Sequence, residues 1–170
     1  MAPNSTSPSP DTPLVIRRAT TADLPALGKL GASLLRTHYG FDPQRFMAPR
    51  GDPESGYGWF LGTQLKEDDV AVFVAEQSGQ VIGYVYAGME PQSWKELRET
   101  AGFIHDVVVA PEARRTGVAS ALVETASEWL RSIGAPRVML WTAEQNGSAQ
   151  RLFTRLGFRK TMIEMTRELL

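Results

Sequence analysis

The 170-residue chain is 42% hydrophobic with a formal net charge of −1, enough apolar material for one core and no overall charge to draw it to nucleic acid or an anionic membrane. It has no cysteine, which excludes disulfides, thiolate catalysis and zinc–thiolate sites, and its two histidines leave little for any metal, so none is expected. No apolar run approaches the ~20 residues needed to span a bilayer, and the expectation is a soluble, cytoplasmic protein with neither a nucleic-acid nor a membrane partner.

Residues 1–13, rich in Pro, Ser and Thr without an apolar core, read as a disordered tail ahead of a domain over 14–170. Leu14–Arg18 reads as the first strand. Thr20 or Thr21 then caps a helix, with Asp23 near its positive end. Leu24, Leu27, Leu30, Gly31, Leu34 and Leu35 give that helix an apolar face, and Gly40 ends it. The stretch His38–Leu65 mixes aromatics (Tyr39, Phe41, Phe46, Tyr57, Trp59, Phe60) with Gly and Pro, and a short helix is expected around Tyr57–Leu65. Val70–Glu76 and Gln80–Ala87 are alternating apolar runs that read as a hairpin across Ser78-Gly79. A polar connection over 90–101 suggests a helical turn around Trp94–Arg98. Phe103–Val109 is the central strand, favoured by β-branched Val107–Val109 and stopped by Pro111. Helix 117–133, strand 137–142, helix 147–156 and a closing strand through Thr161–Leu169 complete the order. That order argues a mixed α/β sheet with helices on both faces.

The turn after the central strand carries the strongest chemical signal. Apolar residues at 118, 121, 122, 126, 129, 130 and 133 define a helix that begins at Gly117. Its free N–H groups therefore lie beside Arg114 and Arg115, and the small residues Gly117, Ala119 and Ser120 let an anion approach the backbone. No GxxxxGK[ST] is present, and the three glycines of a dinucleotide fingerprint are missing. Arg114-x-x-Gly117-x-Ala119 after a hydrophobic strand and Pro111 resembles the acyl-CoA pyrophosphate loop of the GNAT superfamily of N-acyltransferases. The later stretch Asn146–Phe158 is similar to that family's Asn-x-x-Ala-x-x-Leu-Tyr-x-x-x-Gly-Phe helix at Asn146, Ala149, Leu152, Gly157 and Phe158. It departs at one position, where Phe153 stands for the usual tyrosine.

The resemblance implies a mostly antiparallel mixed sheet with a splayed central parallel strand pair. It implies an acetyl-CoA-dependent N-acetyltransferase in which a primary amine attacks the thioester directly in a ternary complex. Carried over, the backbone of Arg114, Arg115, Thr116, Gly117, Val118, Ala119 and Ser120 would hold the CoA pyrophosphate. Val107 and Val109 would lie along pantetheine, with the Val108 N–H near the thioester carbonyl. Asn146, Ser148, Ala149, Leu152 and Phe153 join the CoA-contacting set, and Arg155 reaches toward the phosphates.

Family members often carry a base on the central strand where this chain has His105. Strand alternation puts His105 with Phe103, Val107 and Val109, and Asp106, a second candidate base, on the opposite face. An imidazole with an ordinary pKa of ~6.5 suits amine deprotonation near neutrality. The alternative is a structural His105 with deprotonation through water. Asn146 is equally explained as a helix N-cap. The acceptor reads as a small amine or a protein amine, with Asp42, Asp52, Glu54 and Glu67-Asp68-Asp69 available to attract a cation. With no tyrosine at 153, Ser148, Tyr84 and Tyr86 are the other candidate proton donors, and a non-catalytic acyl-CoA-binding module is the rival reading. A homodimer is compatible with either.

Overall fold

A computed structural model describes residues 12–169. The expected tail lies almost wholly outside the described residues; Thr12, at its end, accepts a hydrogen bond from Gln77 through its carbonyl at 2.8 Å. Five strands form one sheet in sequence order: β1 (Val15–Arg18), β2 (Val70–Gln77), β3 (Gln80–Glu90), β4 (Ala101–Val109) and β5 (Val138–Leu140). All neighbours are antiparallel except β4 and β5, which are parallel. The helices are α1 (Leu24–Phe41), α2 (Pro53–Gln64), α3 (Val118–Ser132) and α4 (Gly147–Arg155). None of the described helices is long and apolar enough to cross a membrane.

The two faces of the sheet bury separate apolar sets. Leu122, Val123, Ala126 and Leu130 of α3 pack on Phe73, Ala75, Val85, Ala87 and Ile104. On the opposite face, Leu27, Leu30 and Leu61 from α1 and α2 pack on Val72, Val74, Tyr84 and Val108. The α1–α2 contact is close at Gly31, where a Cβ would fall 2.1 Å from the Tyr57 ring; glycine there lets α1 seat Tyr57 against the sheet. The β2–β3 hairpin turns at Ser78 and Gly79, both with positive φ (52° and 73°), the geometry that matches strand twist in a two-residue turn.

The start of the first helix is fixed by ionic contacts. The Thr20 N–H and hydroxyl both donate to Asp23 Oδ2, and Arg17 grips the same carboxylate with two bonds of 2.8 and 2.9 Å. Asp23 is 7% exposed, and the Arg17 guanidinium holds its carboxyl well below the usual range, at about 2. Because the folded pKa is depressed, the ionised carboxylate contributes stability above the ordinary value of 3.8 and loses it as pH falls toward about 2. Asp23→Asn should therefore lower stability at pH 7 by ~2 kcal/mol. Chemical denaturation across pH should show the gap from wild type closing between about pH 4 and pH 2.

Three expectations are corrected. The second helix starts earlier, at Pro53, because the Asp52 side chain caps it by accepting from the Ser55 N–H. The 90–101 connection forms an isolated Ser93–Arg98 bridge with Leu97 at positive φ rather than a helical turn. The closing strand is absent: residues 159–169 join no ladder, and β5 keeps a bare outer edge among the described residues.

Candidate active site

β5 accompanies β4 only from Gly102 to Ile104. From His105 to Val109, β4 has no strand on that side, and this opening is where the two central strands part. The β3–β4 ladder fixes which groups face it. Tyr86 pairs with Asp106 but Ala87 with Ile104, so His105 is an extra, bulged residue. Beyond the bulge, the Ala110 N–H donates to the Ile82 carbonyl at 2.8 Å. Antiparallel bonds alternate, so Val108 spends its N–H on the ladder with Tyr84. The N–H and C=O groups of Val107 and Val109 turn into the opening instead. The free donor expected at Val108 thus belongs to Val107.

The β4–α3 turn forms a concave set of donors. Arg115 and Gly117 both have positive φ (63° and 89°), a pattern that points successive N–H groups inward. No N–H from Arg115 to Ser120 has a partner among the described residues; the ladder resumes with Ala121 donating to the Gly117 carbonyl. A Cβ at Gly117 would meet nothing within 4 Å, so the space before these donors is open. With the positive end of the 15-residue α3 behind them, they suit a phosphate or pyrophosphate. Arg114 lies back against the strand end, its Nε donating to the Val109 carbonyl at 3.2 Å.

The bulge also moves His105. Its ring stacks between Tyr86 (4.7 Å) and Phe103 (5.0 Å), on the α1–α2 side of the sheet. Val107 and Val109 pack toward α3. His105 therefore shares the face of Phe103, as alternation requires, but not that of the two valines, because the extra residue reverses the pattern between them. Its Nε2 lies 3.2 Å from Glu90 Oε1. Burial pushes the imidazole pKa down, and the nearby Glu90 and Asp106 carboxylates only partly offset this, a balance that favours the neutral ring. Asp106 lies close by rather than opposite: its Oδ2 accepts from both Tyr57 and Tyr84 phenols at 2.9 Å. Burial pushes its carboxyl up against those two hydrogen bonds. Phe60 and Trp141 extend the aromatic wall, edge-on to Tyr86 and Phe103 respectively.

Residues 34–158 match the model of the acetyltransferase (GNAT) family. The chain belongs to the GNAT family. It is 34% identical over 100 residues to an uncharacterized N-acetyltransferase of Methanocaldococcus jannaschii, covering 59% of this chain and 44% of that protein. It is 30% identical over 162 residues to a mycothiol acetyltransferase of Thermobispora bispora, covering 88% of this chain and 54% of that one. The chain thus spans about half the length of these curated relatives. An aminoglycoside N-acetyltransferase solved with CoA superposes with a TM-score of 0.73 at 20% identity, over 99% of each chain; at that identity the likeness is one of fold.

Within this GNAT fold the remaining candidates sort by what already occupies them. Asn146 is the N-cap of α4: its Oδ1 accepts from the Ala149 N–H and the Ser148 hydroxyl, both at 3.2 Å. Ala149, Leu152 and Phe153 lie on the half-buried side of α4, with Phe153 edge-on to Phe158 and packed on the α3-side core. Arg155 shares a basic groove with Arg151 and Lys160. The hydroxyls considered as substitutes for the missing tyrosine are engaged elsewhere: Tyr84, fully buried, donates to Asp106, Tyr86 donates to Gln64, and Ser148 to Asn146. Sequence reading missed Glu90 and Tyr57. Glu90 pairs with Ala101, four residues from His105, so its contact with Nε2 depends on side-chain reach along the sheet face, which the strand register does not reveal.

Proposed function

We propose that the protein transfers an acetyl group from acetyl-CoA to a primary amine. The observation that carries this reading is the pairing of a run of N–H groups, Arg115 to Ser120, unpartnered among the described residues, with the open backbone of Val107 and the Val109 N–H leading from it toward His105. The first suits a pyrophosphate and the second an amide-bearing pantetheine arm that bonds like a missing strand. The Val107 N–H would then meet the thioester oxygen, where one aimed donor contributes ~3 kcal/mol to the transition state.

In the proposed reaction the ammonium gives up a proton, the amine lone pair attacks the thioester carbonyl carbon, and the tetrahedral adduct collapses with cleavage of the C–S bond, CoA leaving as its thiolate and the second proton on nitrogen passing to solvent. His105 accepts the proton. Glu90 accepts a hydrogen bond at Nε2, leaving Nδ1 as the basic nitrogen. Asp69, Glu90 and Asp106 all lie near the Tyr86 phenol and help burial raise its pKa to about 12. That negative field beside aromatic walls favours a cationic amine, on a small molecule or a protein. Incubation of acetyl-CoA with a broad amine panel should release thiol with at least one acceptor class, and silence with every amine would favour the binding-module reading.

That second reading has its own observation: the three hydroxyls weighed as substitutes for the tyrosine missing at Phe153, those of Tyr84, Tyr86 and Ser148, are each bonded elsewhere. An alkyl thiol of pKa ~8.5 can leave unprotonated, so catalysis does not require the donor. Phe153→Tyr should hold or raise turnover, with acetyl-CoA affinity nearly unchanged. A sharp loss of turnover would mean that the apolar ring itself shapes the acyl pocket.

A further inference from the structure

Two carboxylates stand beside His105, and the proposed reaction uses only one. Glu90 Oε1 lies 3.2 Å from His105 Nε2 and orients the ring. Asp106 is the next residue along β4, and its side chain lies on the same α1–α2 side. The phenols of Tyr57 and Tyr84 both bond to its Oδ2. Oδ1 takes no bond among the described residues, where no fully buried side-chain oxygen is left unpartnered, so Oδ1 opens to solvent. The cations nearby are engaged elsewhere. Arg98 bonds to Glu96 and to the carbonyls of Glu90 and Glu99, and Arg45 holds Glu164. His38 is close enough to favour the ionised Asp106, but its Nδ1 is bonded to the Leu34 carbonyl at 2.9 Å.

Aromatic rings line the same side. Trp141, Phe103, His105, Tyr86 and Phe60 follow one another with centroids 4.7–5.9 Å apart. Both ends of this row are open, Trp141 at 72% exposure and Phe60 at 37%. The arginines that stack on rings, Arg18 and Arg45, lie over Phe73, Trp129 and Phe46 instead.

A carboxylate among aromatic faces attracts a cation. The reacting amine is the wrong cation for it, because that nitrogen must lose its charge before it attacks. An opposite charge within ~4–6 Å raises an ammonium pKa by ~1–3, and each step cuts the neutral fraction tenfold. Aimed at the reacting nitrogen, the Asp106 field would slow the reaction. Aimed at a second cation that keeps its charge, it positions the acceptor without that penalty.

We propose that the acceptor carries a second positive charge, which Asp106 Oδ1 and the aromatic row bind while His105 serves the reacting amine. The inference rests on the acetyl-transfer reading above. Consecutive Cα atoms lie ~3.8 Å apart, so base and anchor are separated by a short alkyl chain, about three to five carbons between the two nitrogens. The substrate class is then a small diamine or polyamine.

Steady-state kinetics at saturating acetyl-CoA tests this with butylamine, 4-aminobutanoate, 1,4-diaminobutane and (4-aminobutyl)trimethylammonium. Calorimetry on the CoA-loaded protein measures the binding of each amine alongside. The two cationic compounds should exceed butylamine in kcat/KM by about tenfold or more, mainly through KM, and 4-aminobutanoate should fall below it. The trimethylammonium group has no N–H to lose, so its advantage identifies a charge that stays in place. Asp106→Asn keeps an acceptor for both phenols and should bring the ratio of diamine to butylamine down to about one. A base at Asp106 would instead slow every amine alike and preserve the ratio, and that result overturns the proposal. Similar rates for all four compounds would overturn it too, with acetyl transfer left standing. If no amine turns over, binding that selects the two cations and is lost in Asp106→Asn supports the anchor and rejects the transfer. Binding without that selection rejects both.

Discussion

Gly117→Glu should abolish acetyl-CoA binding, with at least a hundredfold weakening by calorimetry, while the protein still unfolds cooperatively. In the free protein a side chain at 117 meets nothing within 4 Å, so the fold tolerates its volume. The space it enters lies in front of the unpartnered N–H groups of 115–120. A carboxylate about 5 Å from a bound phosphate repels it by roughly 3 kcal/mol at an effective dielectric of ~20, which is more than two decades in affinity. The positive φ of 89° adds backbone strain of ~1–2 kcal/mol for any L side chain. Gly117→Ala carries that strain without the charge and should lose less affinity, so the difference between the two isolates the anion site. Unchanged binding in the glutamate variant would remove the pyrophosphate from this turn.

His105→Ala should lower turnover about a hundredfold or more, the usual worth of a positioned base, with acetyl-CoA affinity close to wild type. The pH dependence carries a sign that a structural role would not. Activity needs the neutral imidazole, so the rate should fall as pH drops through the His105 pKa, which burial holds below the ordinary 6.5. Glu90 favours the imidazolium and so raises that pKa. Glu90→Gln should therefore move the acidic limb to still lower pH, and it should also lower turnover by loosening the ring between Tyr86 and Phe103. A His105→Ala enzyme with wild-type turnover and the same profile would leave the histidine as a strand residue, with deprotonation through water.

The parts of this fold that were legible in the chain were those decided locally. Ser78-Gly79 between alternating runs dictates its hairpin, Pro111 stops β4, and the stripe from Val118 defines α3. Asn146 reads as a cap and is one. The site was less legible because its geometry lies between strands. The bulge at His105 is a property of the β3–β4 register, so neither strand alone announces it. It turns His105 to the α1–α2 side and brings Asp106 near it, where simple alternation separates them. The same register gives Val108 to the ladder and frees Val107. Tyr57 joins Asp106 only because α1 and α2 pack closely enough, through Gly31, to press α2 on the sheet. The closing strand failed for the opposite reason: its pattern is strand-like, but a strand needs an edge, and among the described residues the segment joins neither edge of the sheet.

Backbone amide chemical shifts, followed by nitrogen–proton correlation spectra during titration with acetyl-CoA, test the site itself. The largest changes, with slowed amide exchange, should fall on Arg115 through Ser120 and on Val107 and Val109, while Val108, already bonded in the ladder, should move less. Changes confined to other surfaces, such as the cleft between α1 and α2, or amides of 115–120 that keep exchanging freely at saturation, would contradict the assignment.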